Sequence, residues 1–169
     1  MDAAALRALQ APLKQAYKDD PAQAVVRLVA ESTVHFDQPA AHLNTPAGSV
    51  VAGLHPAAGG DGSQACSGDM LLQALVACSG VTFSAVAIAL GIPIAATQVR
   101  ATGTMDFRGT LGVDRTVPVG ITELELQFEI RSSAEDAQLA KLVELTERYC
   151  VVLQTLQQPA QWKCHWQRG

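Results

Sequence analysis

Met70-Leu-Leu-Gln-Ala-Leu-Val-Ala-Cys78-Ser-Gly-Val-Thr-Phe-Ser-Ala-Val-Ala-Ile-Ala89 is the stretch whose reading decides the fold. No Lys or Arg occurs from Met70 to Val99. A helix here is apolar on all sides, which leaves either complete burial in protein or a membrane span. Gln73, Ser79, Gly80, Thr82 and Ser84 dilute the run, and no basic or aromatic belt flanks it. Amphipathic elements precede and follow it, so the run is read as a buried core helix. Ser67 is expected to cap it, with Asp69 in its first turn, and Gly91 and Pro93 end it.

Working outward, Leu6, Leu9, Leu13 and Tyr17 recur every three or four residues and predict an amphipathic helix from Asp2 to Lys18. From Ala24 to Phe36, Val26, Leu28, Ala30, Val34 and Phe36 share one side of a half-buried strand. Residues 37 to 48, rich in Pro, Asn and Gly, read as a turn or loop, and Ser49 to Leu54 as a short returning strand. Beyond the central helix, Val99 to Phe107 and Glu123 to Arg131 alternate apolar with polar residues on either side of the loop 109–118. They predict an antiparallel sheet with one wet face. Ser133 opens a second helix whose stripe is Leu139, Leu142, Val143, Thr146, Tyr149, Cys150 and Leu153. Gln161 to Trp166 reads as a last short strand.

The fold expected is α+β: an antiparallel sheet wrapped around a buried central helix. Its 169 residues suit one domain, with residues 1–20 a helical extension and 25–167 the core. One sheet cannot cover a helix that is apolar on every side. Burial against a second copy supplies the missing cover, so a homodimer is expected.

A net charge of −4 disfavours nucleic acid and anionic membrane as partners. The four cysteines, Cys66, Cys78, Cys150 and Cys164, lie far apart with no CxxC pair. No basic segment with an adjoining apolar run opens the chain, and the expected location is a reducing cytoplasm, where disulfides are transient or catalytic. His35, His42, His55 and His165 lack metal-site spacing, so neither metal nor cofactor is expected. Gly59 to Ser63 lacks the Lys of a phosphate loop and reads as turn chemistry. Glu123, Glu125 and Glu129 form a solvated strand face.

Asp69-Met-Leu-Leu-Gln-Ala-Leu-Val-Ala-Cys78, followed about seventy residues later by Thr146-Glu-Arg-Tyr-Cys150, resembles the OsmC/Ohr family. The resemblance runs from about Val25 to the C-terminus. It implies an intertwined homodimer with a thiol peroxidase site at the subunit interface. Cys78 would attack an organic hydroperoxide or hydrogen peroxide and become a sulfenic acid. Cys150 would resolve it to a disulfide that a dithiol reductant reopens.

Burial among Leu71, Ala74, Leu75, Val81 and Ala85 would raise the Cys78 pKa and suppress the nucleophilic thiolate. A nearby cation is therefore expected, with Arg27, Arg115 and Arg148 the candidates. In the hydroperoxide-resistance branch a glutamate ten residues before the first cysteine orients that arginine. Gly68 stands there in this chain, and the acid, Asp69, lies one place later, on the helix face opposite Cys78. Free cysteine also packs as a small hydrophobe. The rival reading is thus a non-enzymatic homodimer of the same fold that binds a small apolar or sulfur-containing ligand at its interface. Cys66 is an alternative resolving thiol that would have to fold back. Cys164 with His165 reads as strand-edge packing.

Overall fold

The computed structural model describes residues 1–169. In chain order the elements are α1 (Ala3–Asp19), β1 (Ser32–His35), β2 (Ala40–Thr45), β3 (Gly48–Gly53), β4 (Ala65–Cys66) and α2 (Ser67–Leu90), then β5 (Ile94–Met105), α3 (Phe107–Thr110), β6 (Ile121–Ser132), α4 (Asp136–Tyr149) and α5 (Val151–Gln157). The strands form a four-stranded sheet in the order β1-β2-β3-β4 and a separate ribbon, β5-β6. All pairings are antiparallel except the short β3–β4 contact, which joins Ala52 to Ala65 and Gly53 to Cys66. The fold is α+β with antiparallel-rich sheets, as the alternating runs require.

The central helix forms from Ser67 to Leu90 and stops at Gly91, whose φ of 67° places it in the left-handed region that closes helices. It packs against α1, α4, α5, β4 and β5. Its buried residues are Leu75, Ser79, Phe83 and Ala87, four apart and therefore in one stripe. Phe83 stacks on Phe128 of β6 at 5.4 Å. Phe83, Ala87, Ile92 and Leu142 make the core, with Val86, Ile130 and Leu139 packed on them.

Complete burial of this helix is not what the chain provides. Val81 is 73% exposed, and Leu71 and Leu90 are also open. The helix is long and apolar enough to cross a bilayer, yet its Phe83 stripe is packed into a mixed α/β core. The sequence pattern reported an apolar circumference correctly. Only one stripe of it is fully buried within the chain.

Several local expectations change. The strand expected over Ala24–Phe36 shrinks to Ser32–His35, because only those residues find a hydrogen-bonded neighbour, β2. Val25, Val26, Leu28, Val29 and Phe36 stand exposed, Phe36 at 94%. The loop expected over 37–48 contains strand β2, since its Pro and Gly residues mark the turns on either side of a strand. At the second turn the Thr45 hydroxyl donates to the Gly48 carbonyl at 2.7 Å.

Cys66, and not Ser67, is the N-cap of α2, and it makes no side-chain capping bond. The N-cap of α4 is Glu135, two residues after the expected Ser133. Gln138 Oε1 accepts the backbone N–H of Glu135 at 3.3 Å, which is half of a capping box with Gln at its preferred place. The final strand, Gln161–Trp166, does not form, and Trp162 and Trp166 are exposed.

Candidate active site

The second helix is broken at the residue that matters. Cys150 was expected within a continuous stripe to Leu153, but its φ of −71° and ψ of 105° are extended, and it caps both α4 and α5. Its N–H closes α4 on the Thr146 carbonyl at 2.9 Å, and its own carbonyl accepts the N–H of Gln154, also at 2.9 Å. Val151 and Val152 are themselves helical, so the break is confined to Cys150. The break gives α5 a fresh N-terminus, whose first amides have no partner within their own helix.

Those amides are turned to Cys78. Burial pushes the Cys78 thiol up, but hydrogen bonds from the backbone of Val152, the side chain of Cys150, the backbone of Val151 and the hydroxyl of Thr82 outweigh it, leaving the thiol below its ordinary range. Thr82 lies one helical turn beyond Cys78, on the same face. Cys78 is half-buried, and Cys150 is 0% exposed. A partly open thiol that favours its anion therefore faces a fully enclosed thiol. Cys150 also meets Ser79, whose Oγ lies 3.3 Å from the Cys150 sulfur with both residues at 0% exposure. All four cysteines are free thiols. Chemically, the arrangement sets a half-open thiol that favours its anion beside a second, enclosed thiol.

Cys78 and Cys150, seventy-two residues apart in the chain, are thus brought together, and the other expected site residues are not brought to them. Asp69 sits in the first turn of α2, nine residues and about 13 Å of helix from Cys78. There it lines a small cavity of about 160 Å³ with His55, Cys66, Gly68, Leu72 and Phe107. Arg27, Arg115 and Arg148 are exposed, and none is among the groups acting on the Cys78 thiol. Arg148 lies over the ring of Tyr149 at 5.5 Å. No group of three His, Cys, Asp or Glu residues is arranged to hold a metal ion.

Sequence reasoning missed the amides of Val151 and Val152, the Thr82 hydroxyl and Ser79. Thr82 was legible from its spacing to Cys78. The amides carry no side-chain signal, and their role depends on a helix break that no residue type around Cys150 marks.

Fold and geometry define an α+β protein built round a long apolar helix that presents one cysteine to another at a helix–helix corner. Residues 60–165, more than half of the chain, match the family described as OsmC-like protein, and the chain belongs to that family. Solved structures share the fold at low sequence identity. An OsmC-like protein from Mycoplasma pneumoniae is 19% identical, with 79% of this chain and 89% of that one covered and a TM-score of 0.65. An organic hydroperoxide resistance protein OsmC from Legionella pneumophila is 14% identical, covering 79% and 93%, with a TM-score of 0.61. The organic hydroperoxide resistance protein OhrB of Bacillus subtilis is 16% identical, covering 78% and 93%, with a TM-score of 0.52. No curated protein matches the chain in sequence.

Proposed function

We propose that this protein is a thiol-dependent peroxidase of oxidative stress defence, acting in the cytoplasm on organic hydroperoxides or hydrogen peroxide. The observation that carries the reading is the half-open Cys78 thiol, held below its ordinary pKa by the α5 amides and directly against buried Cys150. The Cys78 thiolate attacks the outer peroxide oxygen. The O–O bond breaks, and the alkoxide takes a proton and leaves as alcohol or water. Cys78 is left as a sulfenic acid. The Cys150 sulfur then attacks the Cys78 sulfur, water departs, and a disulfide remains. A dithiol, small or protein-borne, supplies the two electrons that reopen it. Two of the structural relatives are named as organic hydroperoxide resistance proteins, in keeping with that substrate class.

The working unit in this proposal is a homodimer. The open side of α2 around Val81 and the exposed apolar stretch 25–36 are the surfaces a second copy would bury. Arg27, Arg115 and Arg148 are the cations available to complete the site, and Arg27 lies within that stretch. Asp69 is the carboxylate available to orient one of them from the second copy.

The test is intact mass and peptide mapping of reduced protein exposed to stoichiometric cumene hydroperoxide, beside Cys78→Ser and Cys150→Ser. The expected products are a Cys78–Cys150 disulfide in the wild type and sulfenic or overoxidised Cys78 when Cys150 is removed. Unchanged thiols under excess oxidant would reject the proposal.

A second reading, the non-enzymatic ligand-binding homodimer, draws on a cleft of about 600 Å³ between α1, α2 and β5, lined by Gly80, Phe83, Ser84, Ala87, Ile88 and Val99 among others. Its lining residues on α2 point roughly 140–280° around the helix from Cys78. A ligand there would not touch the thiol pair, which is why the peroxidase reading leads.

A further inference from the structure

The peroxidase proposal assigns no part to Ser79, although its side chain is fully buried and bonded to Cys150. A serine inside a helix ordinarily returns its hydroxyl hydrogen to the carbonyl four residues back. Thr146 does so to Leu142 and Thr155 to Val151, each at 2.8 Å. Ser79 bonds to the cysteine instead. In the thiol pair either atom can be the donor. Once Cys150 is a disulfide sulfur or a leaving thiolate it carries no hydrogen, and the Ser79 hydroxyl is then the group that donates.

We infer that Ser79 is a positioning residue for the resolving thiol: it holds the Cys150 sulfur against Cys78 and stabilises Cys150 as the leaving thiolate when the disulfide is reopened. This rests on the reading of Cys78 and Cys150 as a redox pair. Accessibility sets the order of events, because Cys150 is enclosed and Cys78 is half-open. A dithiol thiolate attacks the Cys78 sulfur and forms a mixed disulfide, and the electron pair of the broken S–S bond goes to Cys150. The second thiol of the reductant then displaces Cys78, leaving the reductant as a cyclic disulfide and the protein with two thiols. The two protons come from the reductant. In the first step negative charge develops on a sulfur with no access to water, and the Ser79 hydroxyl is the donor already aimed at it. Exchange is faster when the leaving thiolate is better stabilised.

The test uses diamide, which removes two electrons and two protons from a thiol pair without any peroxidase chemistry. Full-length wild type, Ser79→Ala and Ser79→Thr are oxidised with it, the Cys78–Cys150 disulfide is confirmed by peptide mapping, and its reduction by dithiothreitol is followed by intact mass. Alanine removes one oxygen and is at home in a helix, and a thermal melt checks that each variant is folded. The Ser79→Ala disulfide is expected to reopen on the order of tenfold more slowly, as befits loss of one hydrogen bond to a charged group, and Ser79→Thr to regain most of the rate. Equal rates in wild type and Ser79→Ala, or a Ser79→Thr as slow as Ser79→Ala, would overturn the inference. A wild-type disulfide that forms with diamide but never with cumene hydroperoxide ends the peroxidase proposal and leaves the Ser79 comparison readable. Failure to form it with either oxidant ends both.

Discussion

Replacing Val151 by proline isolates the contribution of one backbone amide to the Cys78 thiolate. Val151 is the first residue of α5, where proline is tolerated because the N–H has no partner inside the helix. The residue before a proline must be extended, and Cys150 already is, at φ −71° and ψ 105°. The Val151 side chain is largely exposed, so losing it costs about 0.5 kcal/mol or less. What the substitution removes is the Val151 N–H that favours the Cys78 anion. A hydrogen bond of this kind is worth about 1 kcal/mol net at a partly solvated site. With tenfold corresponding to about 1.4 kcal/mol, the thiolate fraction near neutral pH should fall roughly fivefold. The assay is the rate of Cys78 alkylation by iodoacetamide as a function of pH, in a Cys66→Ser, Cys164→Ser background where the remaining thiol, Cys150, is enclosed. Val151→Ala keeps the amide and serves as the control. A Val151→Pro profile superimposed on those of the wild type and Val151→Ala would refute the argument that the α5 amides activate Cys78.

Because the folded state lowers the Cys78 pKa, the thiolate contributes stability that is fully present above the unfolded thiol's pKa and is lost as pH falls through the folded value. Thermal melts of wild type and Cys78→Ser should therefore diverge on the alkaline side and converge on the acid side. Leu142→Ala should cost about 2–5 kcal/mol in urea unfolding, since Leu142 is 0% exposed in the core with Phe83 and Ala87 and truncation leaves a cavity. Val81→Glu places a charge on the open side of α2 and should convert a dimer to monomer by sedimentation; an unchanged mass would remove this face from the proposed interface. Gly109→Ala should destabilise the α3 corner by about 1–3 kcal/mol, because an added Cβ would lie 2.6 Å from the Pro118 carbonyl oxygen.

The chain's elements were legible where the pattern is local. The alternation of β5 and β6, the central helix with its Gly91 stop and the periodicity of α1 each follow from side chains a few residues apart, and the structure has them within a few positions of where the spacing puts them. The α+β class follows from the same local patterns. The extended run 24–36 shows where that legibility ends. Alternation states that a segment can lie on a sheet, and whether it does depends on a free neighbouring edge, which only Ser32–His35 finds within the chain.

The site divides in the same way. Cys78 and Cys150 could be singled out as candidates from their helical contexts and the family resemblance. What lowers the Cys78 pKa could not. The sequence called for a cation, since buried thiols need their anion offset. The tertiary structure supplies amides at a helix start and a hydroxyl one turn on, and it leaves Arg27, Arg115 and Arg148 on the surface. Side-chain charge is written in the sequence, whereas a backbone dipole acts only where the chain ends one helix and begins another against the right atom. That placement is fixed by packing α4 and α5 on α2, and no spacing of residue types encodes it.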